Sequence, residues 1–231
     1  MKKPVFEGLA TAIVTPFKNG TIDIPTFEML LDTQLAANVD AIVVCGTTGE
    51  SATLSAQEQL ALIAHAIQYT AGHCKIIAGT GSNDTAHAID MSRAASSMGA
   101  CAVLVVTPYY NKCTQSGLIA HYTAIADAVS CPVICYNVPS RTGVDMTLET
   151  YQALSKHPNI QGVKEAGGSP AKIAKTIETC ADDFFVWSGN DDEAVGTMAL
   201  GAKGLISVLS NVRPKKTLAM IRACQQNDFR C

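Results

Sequence analysis

The 231-residue chain is short of charge: Lys and Arg number 17 against 20 Asp and Glu, charged residues make up 16%, and the net charge is -3. No basic stripe exists, which excludes nucleic acid as the main partner, because phosphate neutralisation needs clustered Lys and Arg. A polybasic membrane signal is missing for the same reason. Long hydrophobic runs are also lacking. Segments such as 100–107 fall far short of the roughly 20 residues that span a bilayer. At the start, Lys2 and Lys3 are followed by Glu7 and Gly8 before any export-type apolar core develops. The expectation is a soluble, cytoplasmic protein that does not engage membranes. No C-x-x-C pair occurs, and the five histidines (65, 73, 87, 121 and 157) have no metal-ligand spacing among themselves or with cysteine. Neither a metal nor a cofactor is expected. The nine cysteines, an odd number lying mostly inside apolar runs, read as buried thiols in a reducing compartment, with Cys131 and Cys135 sharing a strand face.

Hydrophobic residues, by contrast, are plentiful at 48%, and no low-complexity tract interrupts them. A chain of this length can bury a substantial core as one large domain or two small ones. Short runs of β character recur at 9–14, 40–45, 75–78, 101–107, 132–136, 160–164, 184–187 and 203–208. Helical periodicity fills the intervals at 25–37, 55–71, 84–98, 115–129, 147–156, 170–181, 191–200 and 214–226. Ser55-Ala56-Gln57-Glu58 is a capping box, Ser169-Pro170 a capping hydroxyl before a first-turn proline, and Gly72 and Gly99 sit at helix stops. Strands that alternate with helices and are apolar throughout imply a parallel sheet covered on both faces. Eight such units, spaced by about 30 residues, favour a closed (β/α)₈ TIM barrel over an open doubly wound sheet. The dinucleotide-binding alternative rests on Gly79-Thr80-Gly81, but its third glycine would fall at Asp84 and the fingerprint fails. Nothing marks a domain boundary within 1–231.

In such a barrel the reacting groups lie where strands end at the C-terminal face. Those positions carry Thr47 and Thr48, Tyr109 and Tyr110, Tyr136, Arg141, Lys164, and Gly189 with Asn190 and Asp191. The set is rich in hydroxyls and poor in carboxylates. It fits imine chemistry: a lysine buried among apolar strands is desolvated, its pKa falls from about 10.4, and the neutral amine attacks a ketone. Tyr136 could relay protons for Lys164 with support from Thr47, and Arg141 offers a planar fork to a carboxylate. Gly162 shares the face of Lys164 and would leave room beside it. Taken singly, each residue has a plainer reading: a strand-ending lysine in water, a tight turn at 46–49, rim tyrosines, a solvated arginine. The acidic run Asp191-Asp192-Glu193 reads as a helix cap.

Three motifs, Gly46-Thr47-Thr48-Gly49-Glu50-Ser51, Tyr136-Asn137-Val138-Pro139-Ser140-Arg141-Thr142-Gly143 and Gly162-Val163-Lys164-Glu165-Ala166, stand in the order and spacing of a known family. From near residue 4 to about 227 the chain resembles the dihydrodipicolinate synthase and N-acetylneuraminate lyase family of pyruvate-dependent class I aldolases. The resemblance implies that Lys164 forms a Schiff base with pyruvate and that Tyr136 donates and accepts protons. Thr47 and Tyr110 would complete the relay, Tyr110 acting across a dimer interface. Thr48 and the main chain at Ile206 would bind pyruvate, Arg141 would receive the carboxylate of aspartate 4-semialdehyde, and Gly189 would border the pocket. The Ser-Arg-Thr-Gly arrangement around Arg141 favours the synthase branch over the sialic-acid lyase. A homodimer or homotetramer is implied as well.

Two departures accompany the resemblance. Lysine-inhibited members use an interface site that would correspond to Ser51, Ala52, Asn83 and Tyr109, but His87 stands where they place a glutamate, and Ala56 and Gln59 replace histidines. Weak feedback inhibition is expected. The family also continues past its eighth helix into a small helical domain, whereas this sequence ends at residue 231; on that reading the barrel lacks the extension, and reduced stability or impaired assembly is expected.

Overall fold

Eight parallel strands close on one another into a barrel in the computed structural model, which describes residues 2–229. In chain order the strands are β1 (Gly8–Ala12), β2 (Phe17–Lys18), β3 (Thr21–Ile22), β4 (Ala41–Val44), β5 (Lys75–Gly79), β6 (Ala102–Val106), β7 (Val133–Asn137), β8 (Ile160–Glu165), β9 (Phe185–Ser188) and β10 (Gly204–Ser207). The barrel runs β1-β10-β9-β8-β7-β6-β5-β4, and β2 with β3 forms a separate antiparallel pair. The helices are α1 (Ile24–Ala37), α2 (Ala56–Thr70), α3 (Thr85–Ser97), α4 (Gln115–Ala128), α5 (Pro139–Thr142), α6 (Leu148–Ser155), α7 (Pro170–Thr179), α8 (Ala194–Ala199) and α9 (Pro214–Gln225). All eight expected strands and their following helices are present. The β2–β3 hairpin and the single turn α5 were not expected.

Local chemistry explains the boundaries. Ser55 and Glu58 form the capping box of α2, and the Ser169 hydroxyl accepts the Lys172 N–H at the start of α7. α5 begins at Pro139, whose fixed φ suits a first turn, and ends at Gly143 in the left-handed region. The eight described cysteines are buried or half-buried; Cys231 lies outside the described residues. No helix among the described residues is long and apolar enough to cross a membrane.

Two apolar layers result from strand alternation. The outer one lies between strands and helices and includes Leu9, Ile42, Val133, Cys135, Ile160 and Val163. The inner one fills the barrel with Ala10, Ala41, Ala102, Ile134, Tyr136, Phe185 and Trp187. Phe6 closes the floor: its ring stacks on Trp187 at 5.4 Å, and the Trp187 indole N–H donates to its carbonyl at 3.2 Å.

The register between β7 and β8 contains one irregularity. Val133 pairs with Ile160, but Ile134 pairs with Gly162, so Gln161 is an extra residue. A one-residue slip exchanges the faces of a strand. Downstream of it Lys164 pairs with inward-facing Tyr136, and Glu165 with Asn137. Gly162 itself serves the next strand. A Cβ there would lie 1.9 Å from the Phe185 carbonyl oxygen, so this glycine permits close strand approach rather than making room for the lysine, as its spacing had suggested. Gly162→Ala is expected to lower the unfolding free energy by at least about 1–3 kcal/mol, as overpacked interiors do, measured as a lower urea midpoint.

Candidate active site

Lys164 projects from β8 into the inner layer and is only 5% exposed. Its neighbour on β7, Tyr136, presents the face of its ring, with the Lys164 Nζ 4.2 Å from the ring centroid. Room for the lysine stem comes from Gly189, beyond the end of β9: a Cβ at that position would meet Lys164 Cε at 3.1 Å and the Ala166 Cβ at 2.8 Å. Thr47 and Thr48 come from the turn after β4. That turn begins with Cys45 at φ 57, a left-handed conformation costly for a non-glycine residue. The carbonyl of Cys45 then passes so near β5 that a Cβ at Gly79 would lie 2.2 Å from its oxygen. Gly79 thus supports the threonine turn.

These groups surround a cavity of about 340 Å³ lined by Thr47, Thr48, Tyr136, Arg141, Lys164, Gly189 and Asp191, among others. Of the residues read from the sequence, Ile206 is fully buried on β10 and is not among the residues lining this cavity, whose wall includes Val208 two residues on. Tyr110 is not brought to it by this chain. It is 90% exposed at φ 72 on the rim.

Burial in the barrel holds the Lys164 amine down to about 8, opposed by the Asp191 carboxylate and reinforced by the Arg141 cation. Burial also raises the Tyr136 phenol, while Arg141 and a hydrogen bond with the Thr47 side chain pull it down. The Arg141 guanidinium makes no hydrogen bond or ion pair within the described residues. It stands free to take an anion.

Asp191 lines this cavity, although its acidic run reads in the sequence as a helix cap. Its carboxylate accepts the Ser207 hydroxyl and the Val208 and Leu209 N–H groups, the last two at 3.0 Å. It therefore caps the 3₁₀ turn Leu209–Asn211 after β10, while α8 starts three residues later than Asp191, after Glu193, which makes no side-chain cap bond. The expected helix-capping role of this acidic run is corrected accordingly. Its place two residues after Gly189 at a strand end was the available signal.

A sequence model of the Dihydrodipicolinate synthetase family matches residues 5–230. The chain belongs to that family. It is 50% identical over 226 residues to the 4-hydroxy-tetrahydrodipicolinate synthase of Exiguobacterium sibiricum, covering 97% of this chain and 77% of that one. With the enzyme of the same name from Alkaliphilus oremlandii it is 49% identical over 224 residues, with coverages of 97% and 77%. The crystal structure of dihydrodipicolinate synthase from Aquifex aeolicus superposes with a TM-score of 0.95 at 42% identity, covering 97% of this chain and 77% of that one. The family's Cyanidioschyzon merolae member, solved with lysine bound, superposes with a TM-score of 0.93 at 37% identity over 99% and 80% of the two chains.

An amine that titrates near 8 loses its proton as pH rises, so pyruvate-dependent labelling of Lys164 should climb between about pH 7 and 9. Asp191 favours the ammonium form; Asp191→Asn should move that limb to lower pH, and Arg141→Ala should move it to higher pH. Initial rates of imine trapping across pH would check both signs.

Proposed function

We infer that the chain catalyses the condensation of pyruvate with L-aspartate 4-semialdehyde to 4-hydroxy-tetrahydrodipicolinate, a lyase reaction of class I aldolase type on the route to lysine and diaminopimelate. The observation that carries this reading is a single buried lysine, held down to about 8 and flanked by a tyrosine and a free arginine in one cavity. In this mechanism neutral Lys164 adds to the pyruvate ketone. Tyr136, relayed through Thr47, supplies the proton with which the carbinolamine oxygen leaves as water. Loss of a methyl proton from the imine gives an enamine, whose carbon attacks the aldehyde while the aldehyde oxygen takes a proton; the amino group of the adduct then adds to the imine carbon, closing the ring and expelling the Lys164 amine. Thr48 holds the pyruvate carboxylate beside the main chain at Ile206, and Arg141 holds the carboxylate of the aldehyde. The imine itself is the electron sink, so the chemistry as written draws on no metal or cofactor. Tyr110, exposed on the rim, would serve the cavity of a second copy in a homodimer or homotetramer.

Next to the active cavity is a second one of about 480 Å³, lined by Ser51, Ala52, Gln59, His87 and Tyr109 together with Glu50 and Arg141. The amide nitrogen of Gln59 is committed to the carbonyls of Ser51 and Leu54. With His87 in place of a glutamate, the counter-charge to a bound lysine is reduced, and feedback inhibition by lysine is proposed to be weak.

Borohydride with pyruvate should label Lys164 irreversibly, seen by peptide mass spectrometry, and Lys164→Ala should show no label; labelling that persists in this variant would sink the assignment. In a separate assay, lysine at millimolar concentration should leave most turnover intact, and strong suppression would contradict the reading of His87.

A further inference from the structure

The residues that follow Tyr136 and Lys164 point away from the cavity, into a polar cluster between barrel and helices. Glu165 is 4% exposed, and its carboxylate accepts the Tyr151 hydroxyl at 2.5 Å, the Asn137 amide at 2.8 Å and the Gly167 N–H at 2.7 Å. The Lys172 ammonium of α7 stands 3.7 Å from its second oxygen and bonds Asp145. Asn137 also donates to Asp145 at 2.8 Å and accepts the Met146 N–H at 3.0 Å. These bonds therefore close the segment from 138 to 145 at its base, where Asn137 enters it and Asp145 and Met146 leave it. That segment carries α5 and Arg141. Because the Arg141 side chain bonds to nothing within the described residues, its place in the cavity with Lys164 follows its backbone; the Thr142 hydroxyl ties that backbone to itself at Val138 and Val144, and this base ties it to the barrel.

We propose that Glu165, Asn137, Asp145 and Lys172 form a clamp that positions Arg141 for the aldehyde substrate, making them positioning residues for substrate specificity. This rests on the reading of Arg141 as the receiver of the aldehyde's carboxylate. A loosened clamp displaces the guanidinium while leaving Lys164 and Tyr136 on their strands. Binding of the aldehyde then suffers, while Lys164 still forms its imine with pyruvate, with at most a shifted pH dependence.

The test uses the full chain with Lys172→Met and Asp145→Asn, both altering side chains near the surface, and with Arg141→Ala for comparison. Lys172→Met should raise the KM for aspartate 4-semialdehyde roughly ten- to a hundredfold, with Asp145→Asn acting in the same direction. Borohydride trapping by pyruvate alone should reach the parent's high-pH plateau in both, where the Lys164 amine is neutral with or without Arg141 beside it, and Lys172→Arg should restore most of the aldehyde KM. If Arg141→Ala raises the aldehyde KM while neither clamp variant does, the clamp is overturned. Loss of pyruvate trapping in the clamp variants would also overturn it, by showing that the cluster supports the lysine instead. An unchanged aldehyde KM in Arg141→Ala would overturn the reading of Arg141, and the clamp with it.

Discussion

One extra residue in β8 decides which way the chemistry faces. Between the pairs Val133–Ile160 and Ile134–Gly162 the strand accommodates Gln161 without a partner position on β7. Without that bulge, the alternation would place Lys164 against the helices and Glu165 in the barrel, since side chains switch faces with each residue. With it, the lysine enters a closed, side-chain-filled interior where an ammonium is poorly solvated. Desolvation is the leading cause of the lowered Lys164 pKa, and it depends on the walls and floor being intact.

The floor is sealed by the N-terminal segment. Phe6 stacks under Trp187, and the Lys75 ammonium donates to the Val5 carbonyl at 2.6 Å, anchoring that segment to β5. At the mouth, close backbone approach matters more than bulk. Gly79 accepts the strained Cys45 carbonyl, and Gly189 lets the lysine stem pass, so two glycines bring Thr47 and Lys164 into one cavity. The scaffold contributes confinement, and the loops contribute direction.

The architecture was legible because strands buried on both faces are written as continuous apolar runs, and because helix starts carry their own capping residues. Lys164, Tyr136 and Thr47 were legible for a related reason: in a parallel barrel, strand ends converge on one mouth. Other features left no such trace. The two-residue strands Phe17–Lys18 and Thr21–Ile22 are too short for any periodicity to register. Asp191 was read as a cap on its own helix because its partners, Val208 and Leu209, lie 17 and 18 residues onward. Gly162 was assigned to the wrong neighbour, since the atom it avoids belongs to Phe185 on another strand. Where the controlling contact is distant in sequence, local pattern has nothing to report.

Adjacent residues of β8 show two opposite ways of burying a charge-bearing group. Glu165 is surrounded by donors, three hydrogen bonds and a nearby ammonium, so its carboxylate is compensated in full and serves as structure. Lys164 has no hydrogen bond or ion pair within the described residues, only the Tyr136 ring face and a more distant Asp191. A buried ammonium with so little compensation gives up its proton more readily, here toward about 8, and the neutral amine is the form that the proposed imine chemistry needs. Supplying Lys164 with a carboxylate as close as those around Lys172 would stabilise its charged form and silence it. The reactivity of the site therefore depends as much on the partner withheld from Lys164 as on the partners given to Glu165 one residue later.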